Sequence, residues 1–286
     1  MKFITNSNDL SKYLDTPIKK NIQIKDISID SRTIKKDSLF IAINGENFNG
    51  NDYVDEAIHK GACLVITDSK KYKTSKNKNI IYVNNSISAL KKITSNILKS
   101  FDGNVVGITG SNGKTTTTKI IANVLSKSSS TLNNYNNEIG MPLSIFNAKQ
   151  NSKNLVIEMG AAKPGDIKYL SSILKPNIGV ITNIGNSHLE KLKNIKGVLK
   201  VKSELVSNIK NGGYLVVPNE NKEHLKFWKK IIRGKELITF GTEKNADFYA
   251  INIKSSIKKQ EFNIISDKYN ICLLYTSDAA DDTPCV

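Results

Sequence analysis

The sequence predicts an α/β protein in two parts: a small N-terminal α/β unit over residues 1–84, then a doubly wound, mostly parallel domain over residues 85–271. Three observations predict it. The first 84 residues hold four short β-branched runs separated by turn residues and one amphipathic helix. From Asn104 onward, near-continuous apolar runs such as "NVVGITG", "NLVIEMG" and "NIGVITNIG" alternate with helical patterns. Runs of that kind suit parallel strands covered on both faces. The first of them runs straight into a glycine-rich turn and a helix, the arrangement of a phosphate loop.

In the first part, strands are expected at Ile27–Ile29, Ser38–Ile43, Cys63–Thr67 and Ile80–Val83. Between them, "NDYVDEAIHKG" reads as a helix with Val54, Ala57 and Ile58 on one face, and Gly61 sits where a helix-terminating glycine belongs. "SISALKKITSNILKS" is a second amphipathic helix, with Ile87, Leu90, Ile97 and Leu98 near one stripe. In the second part, "KTTTTKIIANVLSK" is expected to turn Ile120, Ile121, Val124 and Leu125 inward. "GVLKVKSELVSNIK" is a further helix, "GGYLVVP" and "ELITFG" are strands, and "ADFYAINIKSSIKKQEFNIIS" is a β-hairpin. At "LLYTSDAADDTPCV" the lysines vanish and Asp and Ala take over, so residues 272–286 are expected to be a non-native or disordered tail.

The composition narrows the function. The formal net charge is +16, but the lysines are spread along helices and loops, so a solvated surface is expected and no nucleic-acid partner. No run approaches the ~18 unbroken apolar residues of a membrane span, and the N-terminal residues turn polar at once. Cys63, Cys272 and Cys285 lack metal-ligand spacing. A cytoplasmic protein without disulfides or a membrane partner is the expectation.

The segment "GITGSNGKTTTTKI" carries the chemistry. Backbone amides from Gly110 through Ser111, Asn112 and Gly113 to Lys114 can converge on phosphate oxygens at a helix N-terminus. Lys114 can bridge β- and γ-phosphates, and the Thr115 hydroxyl, followed by Thr116, can hold magnesium. The spacing is shorter than the common G-x-x-x-x-G-K-[ST] form, since Ile108 stands where its first glycine would be. "NKNI" and "NKEH" lack the aspartate of a guanine-reading N-K-x-D motif, which leaves a kinase, an ATPase or an ATP-dependent ligase. Glu158 ends one strand and His188 follows another, both at the carboxyl edge of the sheet with the loop. A carboxylate and an imidazole beside Mg·ATP are plausible ligands for a second cation. Lys202 falls on the stripe of Val198, Val201, Leu205 and Ile209. An inward lysine must be paired or chemically altered. A lysine that snorkels to water and one carbamylated by carbon dioxide both satisfy the pattern.

Taken together, "DSRTIKKDSLFIAINGENFNGNDYVDEAIHKGA", "GITGSNGKTTT", "LNNYNNEIGMPLS", "VIEMGAAKPGDI" and "TNIGNSHLEKLKNIKGVLKVKSEL" resemble the Mur ligases of bacterial peptidoglycan synthesis. The resemblance covers about Ile24 to Ile265, and the compressed loop is the family's own form. It implies a P-loop-type central domain in which Gly110–Thr116 bind ATP. Two Mg2+ ions would be held through Thr115, Glu158, His188 and a carbamate on Lys202. Ser31 and Arg32 would lie where relatives hold the UDP moiety, and Asn136 and Asn137 in the loop facing the substrate. "LNNYNNEIG" and "TNIGNSHLE" favour the member that joins D-alanyl-D-alanine to UDP-N-acetylmuramoyl-tripeptide through an acyl phosphate, in the bacterial cytoplasm and as a monomer. A related amide ligase, such as a folylpolyglutamate synthetase, and a non-catalytic nucleotide-binding fragment are the alternatives. The family's third domain has no counterpart before residue 286, so this chain is expected to bind ligands without completing ligation.

Overall fold

A computed structural model describes residues 3–18, 20–45, 48–186, 192–256, 259–267 and 271–278. The chain forms two compact units. One comprises Met1–Val105, Thr115–Gly160 and Ser172–Leu174; the other comprises Val106–Lys114, Ala161–Ser171 and Lys175–Val286.

In the first unit, β1 (Asp26–Ser28), β2 (Ser38–Ile41), β3 (Ala62–Thr67) and β4 (Ile80–Tyr82) form a parallel sheet in that order. Helix α1 (Ser7–Leu14) starts at a capping box, in which the Asn6 side chain accepts from the amides of Asn8 and Asp9 and the Asp9 carboxylate accepts from the Asn6 amide. Its far end would leave carbonyls without partners. Helix α3 (Ser86–Ser100) supplies them: Lys92 Nζ donates to Leu14 O at 2.7 Å and Asn96 Nδ2 to Tyr13 O at 2.8 Å. Helix α2 (Val54–His59) buries Val54 and Ala57 against Phe40 and Val65. Gly61 follows it at φ +105°, and a Cβ there would stand 3.1 Å from Lys36 Cα. On α3 the buried stripe is Ala89, Leu90, Ile93, Ile97 and Leu98, while Ile87 is only half-buried.

The same unit holds β6 (Ser128–Ser130) paired in parallel with β7 (Asn154–Glu158), helix α5 (Gly140–Phe146), and all but the first residue of α4 (Lys114–Val124). The inward face expected for α4 is corrected at Ile120 and Val124 and holds for Ile121 and Leu125. Ile120 is 49% and Val124 77% exposed, whereas Thr118 is buried. Thr115, Thr118, Ile121, Ala122 and Leu125 follow one another at helical spacing and form the less exposed stripe. Ile120 and Val124 fall on the opposite side by the 3.6-residue period. The hydroxyl-bearing side of this threonine-rich helix is the inner one.

The second unit begins within β5 (Asn104–Thr109). There β5 pairs in parallel with β8 (Ile178–Ile181), β8 with β9 (Tyr214–Pro218), β9 with β10 (Glu236–Gly241) and β10 with β11 (Phe248–Ser255). The β5–β8 register runs from Val106 opposite Ile178 to Thr109 opposite Ile181. The expected hairpin forms between β11 and β12 (Lys259–Ser266), and β13 (Ile271–Asp278) adds to β12 in antiparallel fashion. Of the two expectations for residues 272–286, a non-native tail or a disordered one, the second does not hold as far as Asp278, where β13 ends. Backbone pairing with β12 orders these residues despite the change in composition, and 279–286 lie outside the described residues.

Helix α6 (Asp166–Leu174) begins in this unit, which also holds α7 (Ile195–Ser203) and α8 (Lys222–Ile231). The stripe of Val198, Val201, Leu205 and Ile209 is fully buried. It closes on β8 at Gly179, where a Cβ would stand 2.6 Å from Ile209 Cδ1. Trp228 of α8 is buried, and its indole donates to Ser203 Oγ at 2.8 Å. The apolar bulk is packed while its one donor is satisfied.

Candidate nucleotide and metal site

The second unit supplies the loop. At the end of β5, Gly110 adopts φ +154°, and a Cβ there would fall on Thr182 Oγ1. Gly113 adopts φ +75° with open space around it, so backbone conformation alone demands glycine there. The segment after β8 clamps the loop. Thr182 Oγ1 donates to Asn112 O at 2.6 Å, and Asn183 Oδ1 accepts from Asn112 N at 2.9 Å. Ser111 N donates to Asn183 O at 3.2 Å, and Gly185 N donates to Ser111 Oγ at 2.9 Å. Lys114 folds back over the turn and donates to Gly110 O at 3.1 Å and Ser111 O at 3.2 Å. Thr182, Asn183 and Gly185 were not among the sequence-predicted site residues. Their signal was present, as a run of small polar residues directly after the strand beside β5.

Lys202 also lies in this unit and is only 1% exposed, so it does not snorkel to water. Burial, with the like charge of Lys114 adding to it, pushes its pKa down to about 8, against a smaller opposing pull from Asp166.

A buried carboxylate lies in the first unit. Glu158 ends β7 and is 2% exposed. Thr115 Oγ1 donates to Glu158 Oε2 at 2.8 Å, and Asn136 Nδ2 donates to Oε1 at 2.8 Å. Its partners are thus neutral donors, a donor set that suits a hard cation. Asn136 is further pinned by Gly160, whose amide donates to Asn136 O at 2.8 Å and where a Cβ would stand 2.7 Å from Asn136 Oδ1. Asn137 instead spends its amide oxygen on the amides of Ile139 and Gly140 at the start of α5. Thr116 is exposed on the first turn of α4. His188 lies outside the described residues, and among the described residues no three His, Cys, Asp or Glu side chains cluster as a metal nest.

A separate cleft of about 270 Å³ opens in the first unit. Asp30, Ser31 and Arg32 line it together with the aromatic residues Phe40, Phe48 and Tyr53. Phe48 is 72% exposed. Asp30 caps the turn Ser31–Thr33 and takes the Arg32 guanidinium on both carboxylate oxygens, which holds its carboxyl below the usual range. Ser31 is buried, and its carbonyl accepts from Lys60 Nζ at 3.3 Å.

A parallel sheet whose strand runs into a clamped glycine loop and a helix N-terminus defines a P-loop protein of the α/β class. The comparisons narrow the class. The profile of the Mur ligase middle domain matches residues 108–276, and that of the Mur ligase family catalytic domain matches residues 23–99. The chain belongs to the Mur ligase family. It is 36% identical over 249 residues to the UDP-N-acetylmuramoyl-tripeptide–D-alanyl-D-alanine ligase of Buchnera aphidicola subsp. Baizongia pistaciae, covering 86% of this chain and 54% of that protein. The enzyme of the same name from Bacillus subtilis is 34% identical over 206 residues, covering 71% and 45%. Among solved structures, MurF ligase from Thermotoga maritima in complex with ADP matches with TM-score 0.76 at 29% identity, over 89% of this chain and 58% of that one. MurF from Acinetobacter baumannii shares the fold, with TM-score 0.82 at 22% identity over 96% and 60%. The chain spans about half the length of the relatives it matches.

Proposed function

We propose that this chain carries the UDP-substrate and ATP sites of a ligase that joins D-alanyl-D-alanine to UDP-N-acetylmuramoyl-tripeptide, in the synthesis of peptidoglycan precursors. The observation that carries the reading is the clamped Gly110–Lys114 loop, followed in the chain by Thr115 on the buried Glu158 carboxylate. The printed names of the relatives support the substrate pair.

In the proposed reaction the terminal carboxylate of the tripeptide attacks the γ-phosphate of ATP, and ADP leaves. The amine of the dipeptide then attacks the acyl phosphate, and phosphate departs. A carboxylate must approach a polyanion for this to occur. Loop amides supply fixed positive charge at the phosphates, and Lys114 adds its own once it turns away from Gly110 O and Ser111 O. Magnesium, when bound, neutralises phosphate oxygens. Thr115, Glu158 and His188 would hold it, together with a carbamate on Lys202. The fit at Lys202 is chemical. Carbon dioxide adds to a neutral amine with loss of one proton, and a pKa of about 8 leaves roughly a fifth of the side chain neutral at pH 7.4, against about one part in a thousand for an ordinary lysine. Arg32, Ser31 and the exposed Phe48 ring offer charge, a hydroxyl and a stacking face to the UDP end. Asn136 acts through Glu158 in this reading, and Asn137 shapes the loop.

Equilibrium binding tests the reading. Mg·ADP binds the wild-type chain and is lost in Lys114→Ala, while UDP-N-acetylmuramoyl-tripeptide binds both. Equal preference for GDP, or nucleotide binding that is indifferent to Lys114, overturns it.

A further inference from the structure

Helix α6 begins at Gly165, which adopts φ +93° and has no side chain to cap the helix. The open amides of a helix N-terminus need acceptors. Here the acceptor comes from a distant point in the chain. Glu204 Oε1 accepts from Gly165 N at 2.8 Å and Oε2 from Lys168 N at 2.9 Å. One carboxylate thus takes the cap position and the third position of the helix together, with a charge suited to the positive end of the helix dipole. Glu204 is two residues after Lys202, where α7 passes into the turn Glu204–Asn208. Between the two bonded amides sits Asp166, whose carboxylate accepts from Ala162 N at 2.8 Å and Lys163 N at 2.9 Å and whose charge reaches Lys202.

We infer that Glu204 is a positioning residue for Lys202: by capping α6 it fixes the end of α7 against the start of α6, and so sets where the Lys202 amine stands relative to Asp166 and Lys114. The inference rests on the proposed role of Lys202 in binding carbon dioxide. A second side chain provides a control. Asn208 Nδ2 also ties this turn to α6, donating to Lys168 O at 3.3 Å and Ser171 Oγ at 2.9 Å, but it touches neither of the capped amides.

The test uses the whole chain, with 13C-bicarbonate and NMR detection of the lysine carbamate and of the Lys202 side-chain resonances, in wild type, Glu204→Ala, Glu204→Gln and Asn208→Ala. Glu204→Ala lowers carbamate occupancy at fixed bicarbonate by up to about fivefold, the factor carried by an N-cap of ordinary strength, and speeds amide exchange at Gly165 and Lys168. Glu204→Gln, which keeps one acceptor, falls between. Asn208→Ala lowers the melting temperature and leaves the carbamate signal at the wild-type level. A carbamate signal unchanged in Glu204→Ala, or lowered equally in Asn208→Ala, overturns the inference. Absence of carbamate from the wild type sinks the reading of Lys202 instead. In that case the Lys202 resonances still decide the role of Glu204, because they must move in Glu204→Ala and not in Asn208→Ala.

Discussion

Replacing Gly110 with alanine strikes the loop in two ways that can be separated. The backbone at φ +154° lies where a residue with a side chain is strained, at a cost of about 1–3 kcal/mol. The added Cβ would also fall on Thr182 Oγ1 and stand 3.1 Å from Thr182 Cβ and N. Thr182 cannot yield without giving up its bond to Asn112 O, which adds about 1 kcal/mol. The total is about 2–4 kcal/mol, and nucleotide affinity falls with it because Asn112 N and O are two of the points at which the loop is clamped. Urea unfolding and Mg·ADP titration measure both effects in Gly110→Ala, Thr182→Ala and the double variant. The double variant is less destabilised than the sum of the singles by about 1 kcal/mol, since the Thr182–Asn112 bond is lost only once. Strict additivity, or a Gly110→Ala protein within about 0.5 kcal/mol of wild type, would refute the reasoning.

Other outcomes follow from the same geometry. Asn136→Ala removes a donor from Glu158 and lowers magnesium-dependent nucleotide affinity tenfold or more, while metal-free affinity holds; titration with and without magnesium separates the two. Lys202 has a folded pKa below its unfolded value, so the unfolded chain binds more protons between about pH 8 and 10.5, and stability rises with pH across that window by about 3 kcal/mol. In carbon dioxide-free buffer Lys202→Met abolishes that rise and is the more stable protein at pH 7, which denaturant titrations at several pH values check. Trp228→Phe leaves Ser203 Oγ without its indole donor and costs about 1–3 kcal/mol, read as a fall in melting temperature with no change in nucleotide affinity.

Much of the architecture was legible because parallel strands buried on both faces leave near-continuous apolar runs, and "NLVIEMG" and "NIGVITNIG" do form β7 and β8. The stripe that placed Lys202 inward held although the helix ends at Ser203: Val198 and Val201 on α7, Leu205 in the turn that follows and Ile209 just after it are all buried. Helix α4 misled for the converse reason. Ile120 and Val124 were read into the buried face with Ile121 and Leu125, but Thr115 bonds Glu158 and Thr118 is buried beside it in the helical period. A polar contact made forty-three residues away in the chain thus accompanies a rotation that hydrophobic counting cannot see. The clamp from Thr182 and Asn183 and the cap from Glu204 were hidden in the same way. Each is a hydrogen bond between segments remote in sequence, made by residue types common in any loop. The strand β13 was missed because composition reports solvation preference, whereas backbone pairing to an open edge accepts many sequences.

The central claim is that one chain holds a nucleoside triphosphate on the Gly110–Thr116 loop and a UDP-linked peptide in the cleft at Ser31 and Arg32. Calorimetric titration of the wild-type chain, Lys114→Ala and Arg32→Ala with each ligand in magnesium tests it most directly. The account predicts one-to-one binding of Mg·ADP that is lost only in Lys114→Ala, and one-to-one binding of UDP-N-acetylmuramoyl-tripeptide that is weakened only in Arg32→Ala. Failure of both ligands to bind the wild type, or a single variant that abolishes both while remaining folded, would contradict it.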